Sequence, residues 1–215
     1  LLRQWLDKGV PLSQGWGMTE TGPGSLVLDA SDALRKIGSC GKPVLYNEVQ
    51  IVDDKLKKVG VDEVGQLIVR GPNVTPGYWG SSEANETDFS DGWLKTGDAA
   101  KVDREGYFYI VDRIKDMFIS GGENVYPAEI ENVLYELPGI LEVAVIGIPD
   151  EKWGEVGMAV VVCNPQLVLE EGVILDHCSK HLAKYKVPKR VVFTAEIPKT
   201  ASGKIQKTLL LDLFE

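Results

Sequence analysis

At 215 residues, 44% hydrophobic and 26% charged, the chain has the makeup of a globular protein with room for one large core or two small ones. Its net charge of −9 opposes general nucleic-acid binding. No apolar run approaches the roughly 20 residues of a membrane helix; a cytoplasmic placement is expected, with peripheral membrane contact left open. Cys40, Cys163 and Cys178 lack C-x-x-C spacing and point to reduced thiols rather than a disulfide frame or a zinc site.

The chain opens on Leu1-Leu2-Arg3-Gln4-Trp5-Leu6-Asp7-Lys8-Gly9, which has neither an initiator Met nor a signal-peptide pattern and reads as the end of a helix. The chain is therefore expected to begin inside a longer protein. Residues 1–38 mix this helix end with a glycine-rich turn and a polar connection. Short β segments follow at Glu48–Val52, Gln66–Val69, Ala99–Val102 and Tyr107–Val111, with Asp103-Arg104-Glu105-Gly106 as a hairpin connection between the last two. These predict a small antiparallel sheet or barrel over 39–112.

Beyond Lys115 the pattern becomes mixed. Pro127 suits a first helical position, and Ile130, Val133, Leu134 and Leu137 form one apolar stripe that Pro138-Gly139 stops. Strands are predicted at Glu142–Ile148, Met158–Cys163 and Arg190–Thr194. A second helix is predicted over Glu170–Lys184, carrying Ile174, Cys178 and Leu182 on one face, and the chain ends in a short leucine-rich helix. The expected fold class is thus mixed α/β and α+β. A small antiparallel β-barrel-like subdomain precedes a compact α+β domain over 116–215, built on a three-stranded sheet with helices. The boundary falls at 113–115.

Four stretches could carry chemistry. In Gln14-Gly15-Trp16-Gly17-Met18-Thr19-Glu20-Thr21, Trp16 could stack a base, Thr19 could bond a phosphate and Glu20 could hold a hard cation such as Mg²⁺; the plainer reading is a turn with a packed Trp. In Thr96-Gly97-Asp98, the acid could accept two hydrogen bonds from a ribose diol, or simply form a Gly-Asp turn. Asp112-Arg113 followed by Lys115 and by Gly121-Gly122 offers a forked donor set and a close backbone approach, or a loop with a solvated charge cluster. Lys199-Thr200-Ala201-Ser202-Gly203-Lys204 puts Lys204 on a flexible loop without P-loop spacing; a solvated Lys is the alternative. Eight basic residues from Lys180 to Lys207 face Glu196 alone, a local charge of +7, which suits a small polyanion or a solvated face. His177 and His181 share i, i+4 spacing but lack the H-E-x-x-H glutamate, so a metal site is not expected there.

The order of these stretches resembles the adenylate-forming superfamily, which holds acyl- and aryl-CoA synthetases, luciferase and peptide-synthetase adenylation domains. The likeness covers nearly the whole chain. It implies that Trp16 stacks on adenine, Thr19 contacts phosphate, Glu20 holds Mg²⁺, Asp98 takes the ribose hydroxyls and Arg113 assists. Lys115 would be the hinge of a mobile C-terminal domain over 116–215. Lys204 would contact the substrate carboxylate and phosphate during adenylation, with Lys204, Glu20 and Thr19 as the catalytic set. Gly121-Gly122 with Trp153-Gly154-Glu155 resembles the CoA-ligase branch, where Gly121, Gly122 and Trp153 would line the pantetheine tunnel.

The likeness is closest to bacterial medium- and long-chain fatty-acid CoA ligases, with aryl-CoA ligases next. The implied substrates are ATP, CoA and a carboxylic acid, with Mg²⁺ as the cofactor. Trp16 stands where Tyr is commoner, and Lys115 where several relatives have Asp. The family's Ser/Thr/Gly-rich phosphate loop and most of its acyl pocket are not in this sequence. Residues 1–38 are accordingly expected to be the end of a large N-terminal domain, and these 215 residues alone are expected to be inactive in adenylation. An adenylating enzyme with a carrier-protein acceptor and a nonenzymatic binding module are the competing readings.

Overall fold

A computed structural model describes residues 2–167 and 169–214. The chain divides into two compact units, Leu1–Ile114 and Lys115–Glu215.

In the first unit, α1 (Leu2–Leu6) leads to β1 (Gln14–Gly17) and β2 (Gly24–Leu28), which pair antiparallel and are joined by β3 (Lys42–Pro43). This three-stranded sheet lies where the sequence suggested only a turn and a polar connection; its glycines hide the strand pattern. Next come β4 (Glu48–Val52), β5 (Gly65–Arg70), α2 (Ser82–Asp88), β6 (Phe89–Ser90), β7 (Trp93–Val102) and β8 (Phe108–Arg113). The strands of this second set form one antiparallel sheet in the order β4-β5-β7-β6, with β8 on β7. Leu26, Cys40, Ile51, Leu67, Ala100 and Phe108 make its core, and Trp16 packs against them.

β7 is longer than the Ala99–Val102 expected, because it runs through Thr96-Gly97-Asp98 rather than turning there. Its register against β5 passes from Gln66↔Ala99 to Ile68↔Lys95, so one residue of β5 faces three of β7. This bulge uses Gly97 at φ +72°, a conformation that a side chain would disfavour. The Thr96 hydroxyl closes the gap, donating to the Leu67 carbonyl at 2.8 Å and accepting the Asp98 N–H at 3.1 Å.

In the second unit, β9 (Phe118–Ser120) and β10 (Glu123–Val125) form a hairpin ahead of α3 (Pro127–Leu134). The long hairpin of β11 (Ile140–Asp150) and β12 (Gly154–Cys163) follows, then α4 (Glu171–His181), β13 (Arg190–Phe193) and α5 (Lys207–Phe214). β11 and β12 run antiparallel and β13 lies parallel to β12, giving the three expected main strands, with β9 and β10 extending the edge. Ile130, Leu134, Ile174 and Cys178 of α3 and α4 pack with Val143, Val145, Ala159 and Val161. Ala144, Ile146, Met158 and Val160, on the opposite alternation of the strands, meet Ile197 and Leu210. The sheet is therefore covered on both faces. α4 ends at His181, short of Lys184, and a separate 3-10 turn spans Lys184–Lys186. No helix of the described residues is long and apolar enough to cross a membrane.

Candidate active site

The cross-strand pair Asp98↔Arg113 of β7 and β8 sets the first part of the site. The Arg113 guanidinium donates from Nη1 to Asp98 Oδ1 at 2.7 Å and to the Thr96 carbonyl at 3.1 Å. From the other side, the Trp16 indole N–H donates to Asp98 Oδ2 at 2.9 Å. Asp98 is only 7% exposed. Burying a carboxylate is costly unless its oxygens are hydrogen-bonded, and here one cation and one neutral donor each hold one oxygen. Trp16, Asp98 and Arg113 are thus brought together by the bulge and by the packing of β1 on the second sheet.

Thr19 and Glu20 lie in a 3-10 turn, Thr19–Thr21, directly after β1. Thr19 is exposed and Glu20 half-buried. The Tyr78 hydroxyl donates to Glu20 Oε1 at 3.1 Å, and the Thr75 N–H donates to the Glu20 carbonyl at 2.8 Å. No hydrogen bond reaches Glu20 Oε2 among the described residues. Burial, with the Glu20 carboxylate next to it, pushes the Tyr78 phenol up to about 12, so it remains a donor at neutral pH. Sequence reasoning did not single out Tyr78. A Tyr-Trp pair inside Pro76-Gly77-Tyr78-Trp79-Gly80 was the available signal, since a turn rarely needs an aromatic.

In the second unit, Lys115 is exposed and lies in a 3-10 turn, Ile114–Asp116. Gly121 and Trp153 meet. The Gly121 N–H donates to the Trp153 carbonyl at 2.9 Å, and Ser120 pairs with Gly154. Gly121 sits at φ +62°, where a Cβ would lie 2.8 Å from the Trp153 ring. The Asp150 carboxylate accepts the N–H groups of Lys152 and Trp153 at 2.9 and 2.8 Å and so fixes the turn that presents the indole. Trp153 remains 42% exposed, with the Lys152 ammonium 5.0 Å from the centre of its ring. Gly122 is exposed, with open space beside it.

Lys204 is exposed on a small hairpin. The Thr200 N–H donates to the Lys204 carbonyl at 2.8 Å, and the Lys204 N–H donates to the Thr200 hydroxyl at 3.1 Å. No bond holds its ammonium among the described residues, so the loop is ordered while the charge is free to reach. The basic segment is less free than its local charge suggests. Lys180, Lys186, Lys199 and Lys207 pair with Asp176, Glu129, Glu142 and Glu131, which removes half of the eight from service to a polyanion. His177 Nε2 lies 3.0 Å from the Val133 carbonyl and His181 Nδ1 lies 2.9 Å from the His177 carbonyl. Each imidazole thus gives one nitrogen to the backbone, and no group of three or more His, Cys, Asp or Glu able to hold a metal exists among the described residues.

The AMP-binding enzyme family model matches residues 1–79, and the AMP-binding enzyme C-terminal domain model matches residues 129–204. A feruloyl-CoA synthase of Amycolatopsis is 50% identical over 207 residues, 96% of this chain and 42% of that protein. The long-chain-fatty-acid–CoA ligase FadD13 of Mycobacterium tuberculosis is 43% identical over 216 residues, 100% of this chain and 42% of that one. Among solved structures, o-succinylbenzoate CoA synthetase (MenE) of Bacillus subtilis, in complex with the acyl-adenylate intermediate OSB-AMP, superposes with a TM-score of 0.93 at 40% identity. The match covers 97% of this chain and 43% of that one; the same enzyme has been solved with ATP and a magnesium ion. The chain therefore spans about 42% of the length of the curated relatives it matches.

Proposed function

The chain belongs to the adenylate-forming superfamily, and on that premise we propose that the whole protein is an ATP-dependent acid–CoA ligase. The observation that carries this reading is the buried Asp98 carboxylate clamped between Trp16 and Arg113. Each oxygen of an ionised carboxylate can accept more than one hydrogen bond, so Asp98 can take a ribose diol while keeping both partners. Trp16, packed against the core on one side, offers its indole to adenine.

The donor set at Glu20 fits Mg²⁺. That ion needs few protein ligands when phosphates complete its shell, and Glu20 keeps one carboxylate oxygen without a hydrogen bond among the described residues, with the exposed Thr19 next to it in the chain. When bound, the ion neutralises phosphate charge. The acid needs no strong base, because a carboxylate is already ionised at pH 7. The barrier is chiefly the repulsion between two anions. Lys204 relieves it, and one lysine charge in a partly dry site is worth several kcal/mol, about 10²–10³ in rate. The carboxylate attacks the α-phosphate, giving acyl-adenylate and pyrophosphate.

The second half needs a thiol in the place of the lysine. Lys115 opens the second compact unit and is the proposed hinge, so that residues 116–215 withdraw Lys204 and present Gly121, Gly122 and Trp153 instead. The CoA thiol then displaces AMP.

For the acid, a fatty acyl group is the first proposal, supported by the likeness to FadD13. An aromatic acid is the second, favoured by the higher identity to the feruloyl-CoA synthase. The deciding experiment measures AMP release by the full-length protein with CoA and either hexadecanoate or ferulate. CoA-dependent turnover of one acid assigns the class. Turnover that requires a carrier protein, or none with any carboxylate, overturns the ligase reading.

A further inference from the structure

Residues 73–78 bind the Thr19–Gly24 turn at several points. The Asn73 side-chain amide donates to the Thr21 carbonyl, the Thr75 N–H takes the Glu20 carbonyl, and the Tyr78 hydroxyl takes Glu20 Oε1. Glu20 is thereby held through both its backbone and its carboxylate by one segment more than fifty residues away in sequence.

Tyr78 is itself fixed beyond the needs of a loop. Asn85 of α2 accepts the Tyr78 N–H at 2.6 Å and donates to the Tyr78 carbonyl at 3.0 Å. The phenol ring meets Phe89 edge-on, with centroids 5.6 Å apart. Gly77 lies so close under Asn85 that a Cβ would sit 2.9 Å from its Oδ1. Such a clamp serves a side chain whose hydroxyl position matters. With Oε1 engaged, the carboxylate of Glu20 cannot turn freely, and Oε2 is the oxygen left to a cation.

We infer that Tyr78 is a positioning residue for the cation site: its hydroxyl fixes the Glu20 carboxylate so that Oε2 faces a divalent ion. The inference rests on the reading of Glu20 given above. Ion ligands held by outer hydrogen bonds lose about 10- to 100-fold in affinity when those bonds are removed.

The test is Mn²⁺ binding to the full-length protein with a non-hydrolysable ATP analogue, followed by electron paramagnetic resonance of the free ion, for wild type, Tyr78→Phe, Asn85→Ala and Glu20→Gln. Tyr78→Phe keeps the ring and removes one hydroxyl. It is expected to weaken Mn²⁺ binding about 10-fold, with Glu20→Gln weaker still. Asn85→Ala, which leaves the hydroxyl but loosens the backbone, is expected to reproduce part of the loss and decides the matter should Tyr78→Phe misfold. If Glu20→Gln impairs binding and Tyr78→Phe and Asn85→Ala do not, the positioning role is overturned while the reading of Glu20 survives. If Glu20→Gln binds Mn²⁺ as wild type does, both fall.

Discussion

The indole N–H of Trp16 and the carboxylate of Asp98, 82 positions apart, meet at 2.9 Å. The bond joins the strand that opens the first sheet to the bulge of the second. The indole spends its one donor on that carboxylate and keeps its flat face, which suits the proposed stacking on adenine.

Trp16→Phe keeps an aromatic face and removes that donor. A hydrogen bond to a charged group contributes about 1.5–3 kcal/mol, roughly tenfold at the low end. The KM for ATP in pyrophosphate exchange by the full-length protein is expected to rise by about that factor, with the acid KM unchanged. An unchanged ATP KM would show that the bond from the indole to Asp98 does not shape the nucleotide site.

Gly121→Ala places a Cβ at φ +62° and 2.8 Å from the Trp153 ring. Backbone strain of this kind costs about 1–3 kcal/mol, to be read as a lower denaturation midpoint. Because part of that cost is the collision, Gly121→Ala should destabilise a Trp153→Ala background less than it destabilises wild type. Equal losses in both backgrounds would show that the ring does not set the requirement for glycine.

Arg35 and Lys36 pair with Asp103 and Glu105 in a charged cluster beside Tyr107, and the cluster gives the chain a pH signature. Lys36 donates to Asp103 and Glu105, both at 2.6 Å, and these bonds raise the lysine well above its usual range. Glu105 is held below the carboxylate range by Lys36 first and Arg35 second. For Asp103 burial is the largest influence and acts upward; the Lys36 bond and the backbone N–H groups of Tyr107 and Glu105 outweigh it. Depressed carboxylates stabilise above their unfolded pKa, about 4, and lose that contribution as pH falls through the lower folded values. The raised lysine stabilises below its unfolded value, about 10.4, and loses it at higher pH. Lys36→Met should therefore lower the Tm most between about pH 5 and 9, with the gap to wild type closing toward pH 2. A gap independent of pH would mean that only packing was lost.

Much of this arrangement was legible in the sequence, and the remainder was hidden for definite reasons. The stripe of Ile130, Val133 and Leu134 after Pro127 marked α3, and Asp103–Gly106 marked the β7–β8 connection, because these signals are local. The pairing of β1 with β2 was not readable, since Gly15, Gly17 and Gly24 lack the side chains that advertise a strand. Thr96-Gly97-Asp98 read as a turn because a Gly at positive φ occurs in turns and in bulges alike. The contacts of Asp98 with Trp16 and of Glu20 with Tyr78 are long-range and leave no period in the chain. The local charge of +7 was visible, but the carboxylates of Glu129, Glu131 and Glu142 that answer much of it lie on other elements.

In the proposed mechanism one lysine serves the first half-reaction and leaves before the second. Lys204→Ala in the full-length protein tests it through two rates, acyl-adenylate formation from acid and ATP, and acyl-CoA formation from preformed adenylate. The expected result is a loss of about 10²–10³ in the first rate with the second largely kept. Equal losses in both rates would contradict the claim.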